Sequence, residues 1–266
     1  MLKDQNDVWA AGDLYEPYVG RWSRLVARDF LAWLDVPQQR DWLDVGCGTG
    51  ALTEAILQQT QPRTVNGIDP SAGFVDHATA HISDSRALFV VGDAQALPVD
   101  TACVDAAVAG LVLNFVAQPP CALSEMVRAV RSNGVVAAYV WDYAGEMQLM
   151  RYFWDAVVSL DPTAVALDEG RRFPICQATP LADLFAGAGL TNVEVRHIDV
   201  PTRFRDFDDY WTSFLGGQAP APGYAMSLSE ERRGALRERI RSELPVANDG
   251  SISLIARAWA VRGRAP

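Results

Sequence analysis

Seven consecutive residues, Asp44-Val-Gly46-Cys47-Gly48-Thr-Gly50, carry the densest chemical signal in the chain. Glycines reach backbone conformations closed to other residues, and they let a ligand lie against the main chain with no Cβ in the way. The apolar run Asp41-Trp-Leu-Asp-Val leads into them and residues 51–59 read as a helix, so the motif occupies a strand-to-helix turn. In doubly wound sheets that turn is where ligands bind. The spacing G-x-G-x-G differs from the G-x-G-x-x-G of dinucleotide sites. Asp44 also stands two residues before the first glycine. A carboxylate there repels a pyrophosphate and suits a ligand with positive charge, an ammonium or a sulfonium. The plain alternative is a glycine-rich turn that holds nothing.

Two further acids follow the same logic. Asp69 lies 23 residues after Gly46, at the end of a second apolar run, and is followed by Pro70 and Ser71. A carboxylate at that strand end can accept both hydroxyls of a ribose, and Ser71 can cap the next helix. Gly92-Asp93-Ala94-Gln95 closes a third run, where a side-chain carbonyl can accept from the amino group of an adenine. Groups able to move a proton are few. Asp142 and Tyr143 follow the fifth apolar run, and His197 falls on an alternating strand. His77 and His81 share a helix face at i, i+4, which reads as a solvated face; no third ligand type is near, and no metal site is expected.

The elements that must hold these residues alternate in type. A helical stripe over 20–35 ends at Val36-Pro37; strands are expected at 41–45, 64–69, 88–91, 104–113 and 135–141, with helices over 51–59, after Ser71 and over 119–130. The strands are too apolar to have a wet face, which implies a parallel sheet covered by helices on both sides. A helix over 181–189 and strands over 193–200 and 252–261 close the pattern. Two stretches interrupt it, 143–179 and 201–250, and both are rich in aromatic residues: Tyr152, Phe153, Trp154, Phe173, Phe204, Phe207, Tyr210, Trp211 and Phe214. These residues can form the core of a cap or the wall of a pocket for an apolar or aromatic substrate. Ser227 and Glu230 suggest a capping box for a charged helix over 228–244. Gly216-Gly217 suggests a lid hinge.

Composition sets limits on partners. The chain has 266 residues, about half of them hydrophobic, and a formal net charge of −10. It can bury a sizeable core, and its acidity disfavours a phosphate backbone as partner. The arginines between 232 and 241 alternate with glutamates, as on a salt-bridged solvent face. The four cysteines have no paired spacing, and Cys103 and Cys121 lie in apolar stretches expected to be core. No leader-like or membrane-spanning run is apparent, and a reducing, cytoplasmic setting is expected.

From Trp42 to Trp141 the motifs LDVGCGTG, GIDPS, GDAQALP, DAAVAGLVLNF and MVRAVRSNGVV, in this order, resemble the class I S-adenosylmethionine-dependent methyltransferases. The lead-in Tyr15-Glu-Pro-Tyr18-Val-Gly-Arg21-Trp22-Ser23 is similar to that of small-molecule members related to the ubiquinone and menaquinone C-methyltransferases. The resemblance implies a Rossmann-like α/β fold: a mostly parallel seven-stranded sheet with an antiparallel C-terminal strand. It implies one domain over 1–266, a cofactor core over 37–142 and helical insertions over 143–179 and 201–250. It implies S-adenosylmethionine as cofactor and a small-molecule methyl acceptor. Asp44, Gly46, Cys47, Gly48 and Gly50 would hold the methionine part, Asp69 and Pro70 the ribose, and Asp93 and Ala94 the adenine. Leu111 would line the reaction side, and Tyr18 and Arg21 would reach the carboxylate of the cofactor. Two other readings stay open: a nucleic-acid or protein methyltransferase on the same fold, and a protein that binds the cofactor without catalysis. One departure stands out. Many relatives have a histidine near the end of the fourth strand, where this chain has Leu113-Asn114-Phe115. Asn114 cannot act as a base, which leaves Asp142 and Tyr143 as candidates.

Overall fold

The structure, a computed structural model, describes residues 21–216 and 219–266. The chain forms two compact units, one built from Ser23–Trp141, Ile175–Ile198 and Ala258–Pro266, the other including Asp142–Pro174 and Asp199–Arg257.

The first unit carries most of the sheet. Helix α1 (Arg21–Leu34) is followed by β1 (Asp41–Val45), α2 (Ala51–Gln59), β2 (Thr64–Asp69), α3 (Ala72–His81), β3 (Ala87–Val91) and β4 (Val104–Gly110). After a 3-10 turn at Leu113–Phe115 come α4 (Pro119–Ala129) and β5 (Val130–Trp141). The sheet is completed by β6 (Thr191–Phe204) and β7 (Ile252–Arg264), in the order β3-β2-β1-β4-β5-β7-β6. The pairs among β1 to β5 are parallel, and β7 runs antiparallel to β5. This is the mostly parallel, seven-stranded α/β sheet that the sequence implies.

Local chemistry explains the boundaries. Strand β1 is buried at all five positions, as a central strand covered on both faces must be. The Ser71 hydroxyl caps α3 by accepting from the Phe74 N–H. Three boundaries differ from expectation. Helix α4 stops at Ala129 and β5 starts at Val130, so Asn133-Gly134 lies inside the strand, and Asn133 takes φ 62 where the β4–β5 register shifts. Strand β3 does have a wet face, with Leu88, Val90 and Val91 exposed; it is the edge strand of the sheet, with β2 and α3 as its main neighbours among the described residues. Cys103 is half-buried and Cys121 exposed, rather than core; Cys121 lies near the outward-facing start of α4.

Away from the glycine turn, the start of β1 is tied to three other strands through charge. Arg63 grips the Asp41 carboxylate, Thr64 Oγ1 donates to it at 2.9 Å, and Arg131 approaches both Asp41 and Asp105 at 3.2 Å. The Asp41 N–H donates to Asp105 Oδ2 at 2.8 Å. At the opposite edge of the sheet, the guanidinium groups of Arg262 and Arg196 lie 4.6 and 5.6 Å from the Trp33 ring.

The second unit contains α5 (Gln148–Leu160), a 3-10 segment at Pro162–Leu167, α6 (Glu169–Arg172), α8 (Phe207–Thr212), α9 (Pro220–Ser227) and α10 (Glu230–Glu243); α7 (Ala178–Gly187) belongs to the first. Its aromatic residues are largely its own core. Phe153 stacks on Phe214 at 4.4 Å, Phe204 meets Tyr210 edge-on at 5.2 Å, and the Tyr210 hydroxyl donates to Leu149 O at 2.7 Å. Ser229, not Ser227, caps α10, accepting from the Arg232 N–H. The arginines of α10 are salt-bridged: Arg237 to Asp208 at 2.6 Å and Arg239 to Glu243 at 2.7 Å. Arg241 lies 4.2 Å from the Phe207 ring. Gly217, half of the suggested hinge, lies outside the described residues.

The Asp41 cluster has a pH signature. The Arg63 guanidinium holds the Asp41 carboxyl down at about 2, below its ordinary value of 3.8. A depressed carboxyl stabilises the fold above its unfolded value and loses that contribution as pH falls through the folded one. Thermal melts between pH 5 and 2 should therefore show Asp41→Asn less stable than the parent near pH 5, with the gap closing below about pH 4.

Candidate functional site

The turn after β1 is built on glycines in left-handed backbone, Gly46 and Gly48 among them. Gly46 has φ 73, and a Cβ there would lie 2.5 Å from Val112 Cγ1. The N–H groups of Gly46 and Cys47 both donate to Ile68 O, at 2.7 and 3.1 Å, which bends the chain over the end of β2. Gly48, at φ 53, faces open space: a Cβ there would meet nothing within 4 Å. The backbone at Gly48 is thus bare on the side where a ligand would approach, while Gly46 is pressed against the β4 turn.

Asp44 is buried at the end of β1. Thr53 Oγ1 donates to its Oδ2 at 2.7 Å, and Oδ1 is buried with no hydrogen-bond partner. Burial raises the Asp44 carboxyl to about 7 from 3.8; the Thr53 hydroxyl opposes the rise and the nearby Asp69 adds to it. An oxygen closed off in this way lacks only a donor or a cation. Thr53 was not among the residues expected at the site. Its position in the first turn of α2, nine residues past Asp44, is the one sequence signal that could have found it.

Asp69, 7 % exposed, sits at the end of β2. Its Oδ2 accepts from Gly48 N–H at 3.0 Å and its Oδ1 from Ser71 N–H at 2.9 Å. Burial raises its pKa, and the two N–H donors hold it down. An ionised carboxylate has about four acceptor sites, so each oxygen keeps capacity for a hydroxyl. Pro70 follows it on the surface. Gly92 N–H donates to Asp69 O at 3.0 Å, which sets the β3 end beside the β2 end. There Asp93 is exposed, accepting from Gln95 N–H at 2.9 Å, and Ala94 is buried. Cys47 is buried, its thiol pushed upward by burial and by Asp44 and Asp69, so it is an unreactive packing group. Leu111 turns the chain after β4 with φ 61, held by its N–H to Tyr139 O at 2.8 Å.

The ends of β1, β2, β3 and β4 thus bring Asp44, Gly46, Gly48, Asp69, Asp93 and Leu111 to one edge of the sheet, as parallel neighbours must. Of the proton-transfer candidates, Asp142 and Tyr143 belong to the second unit and His197 to the first. Asp142 Oδ2 accepts from Glu146 N–H at 3.0 Å and is buried in its own turn, and Tyr143 is buried 5.9 Å from the Phe173 ring. His197 is exposed on β6, edge-on to Trp259 at 6.1 Å, and His77 and His81 stack at 3.9 Å on α3. Tyr18 and the Arg21 side chain lie outside the described residues. Among the described residues no three His, Cys, Asp or Glu side chains gather as for a metal ion, and no helix is long and apolar enough to cross a membrane.

Residues 43–138 match the family model of the methyltransferase domain. Over 95 residues the chain is 36% identical to the demethylmenaquinone methyltransferase of Roseiflexus castenholzii, covering 36% of this chain and 40% of that one. It is 30% identical over 95 residues to the malonyl-[acyl-carrier protein] O-methyltransferase of Hahella chejuensis, covering 36% of this chain and 34% of the relative. The chain thus spans about a third to two-fifths of the length of these curated relatives. The solved structure of Haemonchus contortus phosphoethanolamine N-methyltransferase 2 with phosphomonomethylethanolamine and S-adenosylhomocysteine superposes with a TM-score of 0.59 at 15% identity, covering 96% of this chain and 56% of that one. The shared sequence is the strand-and-turn half of the sheet, and the shared fold extends beyond it.

Gly46→Ala should combine two costs. A left-handed backbone on a residue with a Cβ costs roughly 1–2 kcal/mol, and the clash with Val112 adds about 1–3 kcal/mol. Urea unfolding should show a loss of about 2–5 kcal/mol. Adding Val112→Ala should relieve the steric part and leave the backbone part in place.

Proposed function

With residues 43–138 a methyltransferase domain of the class I fold, we propose that this chain binds S-adenosylmethionine at the β1 to β4 ends and transfers its methyl group to a small-molecule acceptor. The observation that carries the reading is the Asp44 carboxyl, buried with one oxygen unpartnered beside a glycine turn that is open at Gly48. A phosphate-bearing cofactor would meet repulsion there, whereas a cationic amino-acid nucleoside supplies both donors and positive charge.

The residues present fit that cofactor. Asp44 and the bare backbone around Gly48 would hold the methionine part, Asp69 the ribose hydroxyls, and Asp93 with Ala94 the adenine edge. S-adenosylmethionine supplies a methyl carbon on a sulfonium, a leaving group that needs no further activation. The work left to the protein is to align the acceptor and exclude water. Asp44 holds positive charge close by, and the turn at Leu111 bounds the reaction side. The aromatic-rich segments 143–179 and 201–250 would supply selectivity for the acceptor. The family-model match ends at residue 138, before both segments, so the acceptors of the named relatives do not carry over with it. The formal charge of −10 supports a small molecule over a nucleic acid.

Calorimetry should show saturable binding of S-adenosylmethionine and S-adenosylhomocysteine and none of NAD; the reverse pattern would remove the proposal. Asp69→Ala should weaken binding by about 1.5–3 kcal/mol, the scale of hydrogen bonds to a charged group. The Asp44 carboxyl, raised to about 7, keeps its proton below that pH, and a bound cation favours the ionised form. S-adenosylmethionine affinity should therefore rise from pH 5.5 to 8, by at most about tenfold per unit below the midpoint. S-adenosylhomocysteine, which lacks the sulfonium charge, should show a shallower slope, and Asp44→Asn should flatten both.

A further inference from the structure

The 3-10 turn after β4 holds a side chain that the cofactor reading leaves unused. Asn114 is 8 % exposed, and its amide Nδ2 is buried with no hydrogen-bond partner. The turn that carries it is fixed at the edge of the site. Leu111 enters it in a left-handed conformation, and Val112 packs against Gly46 of the β1 turn. The amide hydrogens of Asn114 and the free oxygen of Asp44 thus belong to the ends of paired strands, yet neither satisfies the other. One is a buried acceptor and the other a buried donor. Buried polar groups left without partners mark places where a ligand supplies them. Asp44 lacks a cation or a donor, whereas Asn114 lacks an oxygen lone pair.

Resting on the methyl-transfer reading above, we propose that Asn114 Nδ2 donates to one oxygen of a carboxylate and that this carboxylate is the methyl acceptor. A carboxamide orients a nucleophile but takes no proton from it. The ionisable groups at this edge are otherwise committed. Thr53 and burial hold Asp44, two backbone N–H groups hold Asp69, and Asp93 accepts from the Gln95 N–H; His81 on α3 and His197 on β6 are exposed and His77 on α3 is half-buried. An acceptor that must first lose a proton finds no base among the described residues of this edge. A carboxylate arrives already ionised at neutral pH. In the transfer, a carboxylate oxygen lone pair forms the new O–CH3 bond while the C–S bond breaks and its electron pair returns to sulfur. The products are a methyl ester and S-adenosylhomocysteine, and no proton is released.

The test uses the full chain with S-adenosyl[methyl-3H]methionine and two panels. One holds straight-chain mono- and dicarboxylic acids and aromatic acids, the other the matching alcohols and phenols. Methyl esters release volatile tritiated methanol in base, whereas ethers do not. The acids should give base-labile product. With the acid that turns over best, Asn114→Leu and Asn114→Asp should lower kcat/KM by about ten- to a hundredfold. Their affinity for S-adenosylhomocysteine should stay within about twofold, and Asn114→Leu should melt no lower than the parent because it removes an unpaired donor. Methylation of the phenol panel alone, product formation unchanged in both variants, or a parallel loss of S-adenosylhomocysteine affinity would each overturn the assignment. S-adenosylhomocysteine binding by the parent without ester formation would overturn it as well. Failure of the parent to bind S-adenosylhomocysteine at all would instead overturn the cofactor reading on which it rests.

Discussion

A carboxyl group buried at the end of a central strand, with one oxygen satisfied and the other not, is the constraint around which the site is arranged. Burying a carboxylate is unfavourable unless hydrogen bonds or opposite charge compensate. At Asp44 the compensation is half complete: Thr53 supplies one donor, and burial keeps the proton on near neutrality. The glycine turn next to it cannot relax around the group, because Gly46 is tied to Ile68 O through its N–H and hemmed in by Val112. The unfilled valence is therefore held in place rather than absorbed by a side-chain shift, as expected of a preorganised site.

The same constraint explains why the neighbouring strand ends matter. Asp69 spends one lone pair on each of two N–H donors, Gly48 and Ser71. It thereby fixes the position of the open glycine and the start of α3 at once. A residue with ligand-binding capacity is also the hinge-pin of the two adjacent turns. The parallel pairing of β2 with β1 and β3 is what brings these groups level. At the other end of β1, Asp41 is fully surrounded by Arg63, Arg131 and Thr64. The contrast separates the two kinds of buried acid in this sheet: one is saturated by its neighbours and serves stability, the other is left short.

Much of this was legible in the sequence because it is local. The spacing of Asp44 and the three glycines, the position of Asp69 and the Ser71 cap all depend on a few consecutive residues and on strand period. The parallel pairing of the first five strands needed only the alternation of apolar runs with helical stripes, whereas their order in the sheet did not follow from it. What escaped was set by distant partners. Only its place in the first turn of α2 hints that Thr53 partners Asp44, and nothing near Val112 says that it packs on Gly46. Ser227 was a plausible cap by spacing, but Ser229 occupies the turn that precedes α10. The exposed face of β3 follows from its place at the sheet edge, which hydrophobicity alone does not reveal. The aromatic residues of 143–179 and 201–250 left two readings open, and burial of Phe153, Trp154, Phe204, Tyr210 and Phe214 makes them a core.

Strand β7 lies between β5 and β6 and runs against β5. It is made after the other six strands, so as the polypeptide leaves the ribosome the flank of β5 has no neighbour on that side until β7 itself has emerged. The four parallel strands that carry the glycine and acid turns can pair early, but the apolar stretch Val135–Trp141 stays uncovered on one edge until then. Co-translational protection of that edge, by a chaperone or by fast threading of β7, is built into the strand order.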